Sequence, residues 1–89
     1  MKINYSIKKK RLVTVENLQV GAKVRVTSSF ISARSTYLKR KNDTAVITDL
    51  SSWTHIDLVN IKWKSDDSID CAYIGRVNNN KTKFELEYV

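Results

Sequence analysis

"IDLVNIKWK", residues 56–64, decides the fold. Val59, Ile61 and Trp63 alternate with Leu58, Asn60, Lys62 and Lys64, the period of a strand with one buried and one wet face. A helix would need apolar residues three and four apart, and here they fall two apart. Working outward, the same period returns on both sides. In "AKVRVT" (22–27), Val24 and Val26 face one way, with Lys23, Arg25 and Thr27 opposite. In "TAVITDL" (44–50), Val46 and Leu50 share one face, Ala45 and Ile47 the other. "CAYIGRV" (71–77) and "KFELEYV" (83–89) follow, the last read with Phe84, Leu86 and Tyr88 inward and Lys83, Glu85 and Glu87 outward.

Turn signals separate these runs: "SSWTH", "KSDDS" and "NNNK". With two glycines and no proline in 89 residues, the turns must rely on Asn, Asp and Ser. "VENLQVG" suits one short turn before Gly21, and "SARSTYLKRK" is read as briefly helical or extended. Phe30 and Leu38 are expected in the core, along with Trp63. Five short strands with one long first loop predict an all-β fold, a small antiparallel barrel over residues 18–89. Residues 1–17 are read as a basic N-terminal arm or an extra hairpin.

The layout "VGAKVRV", long loop, "DTAVITDL", "VNIKWKSDD", "CAYIGRV", "FELEYV" resembles SH3-like barrels of the KOW and Tudor-like kind. In those families a GxxVxV strand opens the barrel and a VxVxW strand runs into an acidic turn. Asn42 and Asp43 stand where the KOW pattern has a glycine. The resemblance implies that the long loop after the first strand is a recognition loop.

Charge is distributed unevenly. The formal net charge is +7, yet residues 1–41 hold eleven Lys or Arg against one acid, and residues 42–89 hold five against eight acids. Such polarity points to a charged partner, nucleic acid before anionic lipid. The expected phosphate contacts are Lys8, Lys9, Lys10 and Arg11 of "KKKR", Lys23 and Arg25 on the first strand, and Arg34, Lys39, Arg40 and Lys41 in the loop. Arg34 is read as forking onto phosphate oxygens, and Tyr37 as a stacking surface for an unpaired base. Lys62 and Lys64 would extend the basic face if their strand lies near the first. Contacts of this kind grip DNA or RNA with little sequence selectivity.

The alternative is a protein-interaction module, such as a phage or mobile-element accessory protein acting on host machinery. Trp53 in its polar turn would then be the partner contact. An enzyme is not expected. The single His55 lacks a nucleophile at a motif spacing, and no phosphate loop, HExxH or nucleophile elbow occurs. Asp66, Asp67 and Asp70 read as a hairpin turn rather than a metal loop, so neither metal nor cofactor is expected. One cysteine, Cys71, fits a reducing cytoplasm, and no apolar run reaches the length of about eighteen residues that spans a membrane.

Overall fold

The computed structural model describes residues 11–51, 55–78 and 80–89. Its strands are β1 (Lys23–Val26), β2 (Ala45–Leu50), β3 (Leu58–Trp63), β4 (Ile69–Asn78), β5 (Lys81–Phe84) and β6 (Leu86–Tyr88). They form one antiparallel sheet in the order β5-β4-β3-β2-β1-β6. The loop between β1 and β2 carries a six-residue helix, α1 (Ser28–Ala33), and a 3-10 segment (Ser35–Asn42) kinked at Tyr37. The all-β reading therefore holds in outline, and the long loop takes the helical of its two expected forms.

Alternation places the core as expected. Val24, Val26, Ala45, Ile47, Val59, Ile61 and Trp63 are buried, as are Ala72, Ile74 and Leu86. Ala45 lies directly opposite Trp63 in the β2–β3 register, so the smallest of these side chains makes room for the largest. The turn before β1 ends at Gly21, whose φ of 92° is a conformation that other residues adopt only with strain. The β3–β4 hairpin turns without glycine. Asp67 takes the left-handed position, with φ 62°, and its N–H donates to the Trp63 carbonyl at 2.9 Å. Asp66 and Asp67 are thus hairpin residues, as the spacing suggested.

Three expectations are corrected here. The closing run is not one strand with Glu85 facing out: it divides at Glu85, giving six strands instead of five, and Glu85 is fully buried. Its N–H donates to Tyr73 O on β4 (2.9 Å), while its carbonyl accepts from Thr27 N just beyond β1 (3.1 Å). One residue thus bridges the two sides of the sheet, and the kink needed for this breaks the period-2 phase. β5 pairs only with β4 and β6 only with β1 among the described strands, so the sheet is open rather than a closed barrel. Leu38 is the third correction. It is 62% exposed, because the 3-10 segment turns it away from the core that Phe30 and Tyr37 join.

Lys8, Lys9, Lys10 and Trp53 lie outside the described residues. From Arg11 onward the supposed arm belongs to the folded unit. Leu12 bridges Glu87, Val13 N donates to Leu86 O at 3.0 Å, and the Val13 side chain is fully buried. This short stretch covers the outer edge of β6.

Candidate nucleic-acid interface

The basic loop is built around two arginines, and neither points freely into solvent. Phe30 anchors the loop: its ring meets Tyr37 and Trp63 edge-on, at 5.8 and 6.0 Å between centroids. Arg34 lies over that ring, its Cζ 4.0 Å from the centroid. From there Nη1 donates to Glu85 Oε2 at 2.8 Å. The other Glu85 oxygen accepts from Tyr73 N at 2.9 Å, so the buried carboxylate has a partner for each oxygen. Burial pulls the Arg34 pKa down, but the bond to Glu85 more than offsets it and the net shift is upward.

Arg40 is the second anchor. Its guanidinium lies over the Trp63 ring with Cζ 4.5 Å from the centroid. Nη1 donates to Asp43 Oδ2 (2.9 Å) and Ser65 Oγ (3.1 Å), and Nη2 to Asp66 Oδ2 (3.0 Å) and Ser68 Oγ (3.2 Å). This clamp ties the 3-10 segment to the β3–β4 hairpin. It leaves traces in the acids. The Ser68 hydroxyl and N–H, with Arg40 behind them, hold Asp66 down at about 2. Desolvation pushes the Asp43 pKa up, but Ser65 and Arg40 together bring it below the ordinary carboxylate value.

The remaining arginines are engaged as well. Arg25 Nε donates to Glu87 Oε2 at 3.0 Å across the β1–β6 pair. Arg76 forks onto Asp57, Nε to Oδ2 at 3.0 Å and Nη2 to Oδ1 at 2.9 Å. Arg11 donates from Nε and Nη2 to Tyr88 O, at 3.3 and 3.2 Å. Tyr37, half-buried against Phe30, is held in its neutral form by the nearby negative charge of Asp70, which raises its pKa.

The lysines behave differently. Every ion pair among the described residues belongs to an arginine. Lys23, Lys39, Lys41, Lys62 and Lys64 are all exposed. β1 and β3 both flank β2, and the register places Lys23 opposite Val46 and Val46 opposite Lys62. These two lysines thus share one row of the outer face, two strand spacings or about 10 Å apart. Lys64 follows Lys62 on the same face, where its N–H donates to Thr44 O at 2.9 Å. Lys39 and Lys41 sit on either side of the clamped Arg40, the first lining a hollow with Tyr37 and Ser68, the second facing β1.

The sequence reading grouped two kinds of cation that the fold separates. Of the expected loop contacts, Arg34 and Arg40 serve as internal struts, while Lys39 and Lys41 stay at the surface. Lys62 and Lys64 gain weight from the β1–β2–β3 register. The one local hint of the clamp was "KSDDS", a cluster of acids and hydroxyls of the kind that receives a guanidinium.

Among the described residues no group of three His, Cys, Asp or Glu is placed to hold a metal ion, and no helix is long and apolar enough to cross a membrane. Cys71 is a free thiol whose pKa is raised, first by burial and then by Asp70. No protein-family model matches this chain, and neither a curated protein nor a solved structure shows significant similarity to it.

Proposed function

We propose that this protein is a non-enzymatic nucleic-acid-binding module that grips the phosphate backbone through lysines with little sequence selectivity. The observation that carries this reading is the division of labour among its cations: arginines satisfy carboxylates within the fold, while Lys23, Lys62 and Lys64 on the sheet and Lys39 and Lys41 in the loop are left exposed. Lys23, Lys62 and Lys64 would form the sheet part of the footprint, and Lys39 and Lys41 the loop part. Lys8, Lys9 and Lys10 would add charge from the N-terminal segment.

The chemistry is simple. An ammonium group at a phosphate displaces a condensed counterion, so affinity falls as salt rises. Lysine is a flexible point charge, which suits contact with a repeating backbone and carries no base information. The Arg40 clamp holds Lys39 and Lys41 on a fixed scaffold, which lowers the ordering cost of binding. A cytoplasmic setting fits the free thiol of Cys71.

We further read this open sheet as an incompletely closed relative of the SH3-like barrels of the KOW or Tudor-like kind. The support is the path of β5 and β6, which carry the chain from the β4 side to the β1 side of the sheet within eight residues, Lys81–Tyr88.

The test is fluorescence anisotropy with random-sequence duplex DNA, single-stranded DNA and RNA across a salt series. Binding that tightens steeply as salt falls, and weakens in a Lys23→Glu/Lys62→Glu variant, is the expected result. No binding to any of the three at low salt would refute the proposal.

A further inference from the structure

Beside the basic loop runs a groove of about 760 Å³ whose apolar lining the nucleic-acid reading leaves unused. Leu12, Val26, Ile31 and Leu38 contribute its apolar lining, and Arg25, Lys41 and Glu87 its charged groups. Leu38 is the unusual member, an aliphatic side chain 62% exposed at the mouth of the groove.

We propose that this groove receives a short peptide segment of a partner protein in which one or two aliphatic side chains lie next to an acidic residue. The lining selects the occupant. It offers aliphatic side chains and no aromatic face, so it gives a nucleobase nothing to stack on. The rim selects the charge. Glu87 engages only Nε of Arg25 among the described residues, which leaves the Nη edge of the guanidinium for an incoming carboxylate. Lys41 adds a second cation that no carboxylate of the described residues neutralises. The volume falls within the range of roughly 300–1,000 Å³ in which compact ligand sites are found.

The aliphatic lining of the groove is separate from the proposed phosphate contacts, Lys41 alone serving both, so Leu38 is the position that distinguishes the two. A random twelve-residue peptide library, displayed and selected on the immobilised wild-type chain with counter-selection on Leu38→Ser, provides the probe. Leu38 is exposed, so this substitution leaves the core intact, which circular dichroism checks. The expected result is enrichment of sequences pairing aliphatic residues with Asp or Glu. A synthetic copy of the leading peptide should bind Leu38→Ser at least tenfold more weakly, and an Asp→Asn or Glu→Gln version should lose a similar factor. Nucleic-acid affinity should be unchanged in Leu38→Ser. Failure to enrich any sequence, or enrichment of basic or aromatic sequences, would overturn the proposal. So would loss of nucleic-acid binding in Leu38→Ser, which would assign the groove to that interface. Self-association of the wild-type chain that Leu38→Ser abolishes would seat a second copy there and overturn it equally.

Discussion

Arg34 Nη1 stands 2.8 Å from Glu85 Oε2, and that carboxylate has no solvent-exposed surface. The pair joins the first loop to the kink between β5 and β6, so it bonds the most basic segment to the point where the last strand changes partners. Removing one member of a buried, bonded pair leaves the other charge without compensation, at a cost of about 3–5 kcal/mol. Arg34→Ala and Glu85→Ala should each lose about that much in urea unfolding. The double variant should lose less than the sum of the two single losses.

Arg40 predicts an acid transition. Asp66 has its pKa lowered from 3.8 to about 2 by Ser68 and Arg40, and Asp43 is shifted in the same direction. A depressed carboxylate pKa means that the stabilisation is present above the ordinary value and is lost as pH falls through the folded one. The loop should therefore come away from the β3–β4 hairpin between about pH 4 and pH 2. Trp63 lies beneath Arg40 and reports this in a Trp53→Phe background, where it is the sole indole. Arg40→Gln should shift the fluorescence at neutral pH and abolish the step.

Gly75 is required by what lies above it. A Cβ at this position would stand 2.6 Å from Asp57 Oδ2 and 3.2 Å from Asp57 Cβ. Asp57 cannot yield without releasing the Arg76 N–H and side chain, which bond to its carboxylate at 2.9–3.0 Å. Gly75→Ala should therefore cost about 1–3 kcal/mol, the usual range for overpacking, when measured by thermal or urea unfolding. A neutral result would show that the β4 backbone moves aside.

Much of the fold was legible because a strand announces itself locally. Val59, Ile61 and Trp63 show their period without knowledge of any neighbour, and so do Val24 and Val26. Glu85 was misread for the same reason. Alternation through "KFELEYV" is unbroken in sequence, and only the need to serve two sides of the sheet bends the chain there. The roles of the cations were hidden for a different reason. Arg34 pairs with a residue 51 positions away and Arg40 with one 26 away, and such non-local bonds leave no periodic trace. Leu38 looked like core because it is aliphatic, yet the geometry of the 3-10 segment decides which way it faces.

The partition of cations also predicts how substitutions separate. Lys23→Gln, Lys62→Gln and Lys64→Gln should each leave stability within about 0.5 kcal/mol of wild type, as exposed sites do, while weakening nucleic-acid binding. The loop arginines should show the reverse order, with stability lost first. Paired unfolding and anisotropy measurements on the same preparations check this.

The most direct test of the lysine clamp is the salt dependence of affinity for random duplex DNA. Lys23, Lys39, Lys41, Lys62 and Lys64 contribute about −4.5 to the slope of log affinity against log salt, to which Lys8, Lys9 and Lys10 add. Removing the three sheet lysines together should make that slope shallower by about 2.7, because each contact contributes about −0.9. A slope unchanged in the triple variant, or no binding by the wild-type chain at low salt, would contradict the account.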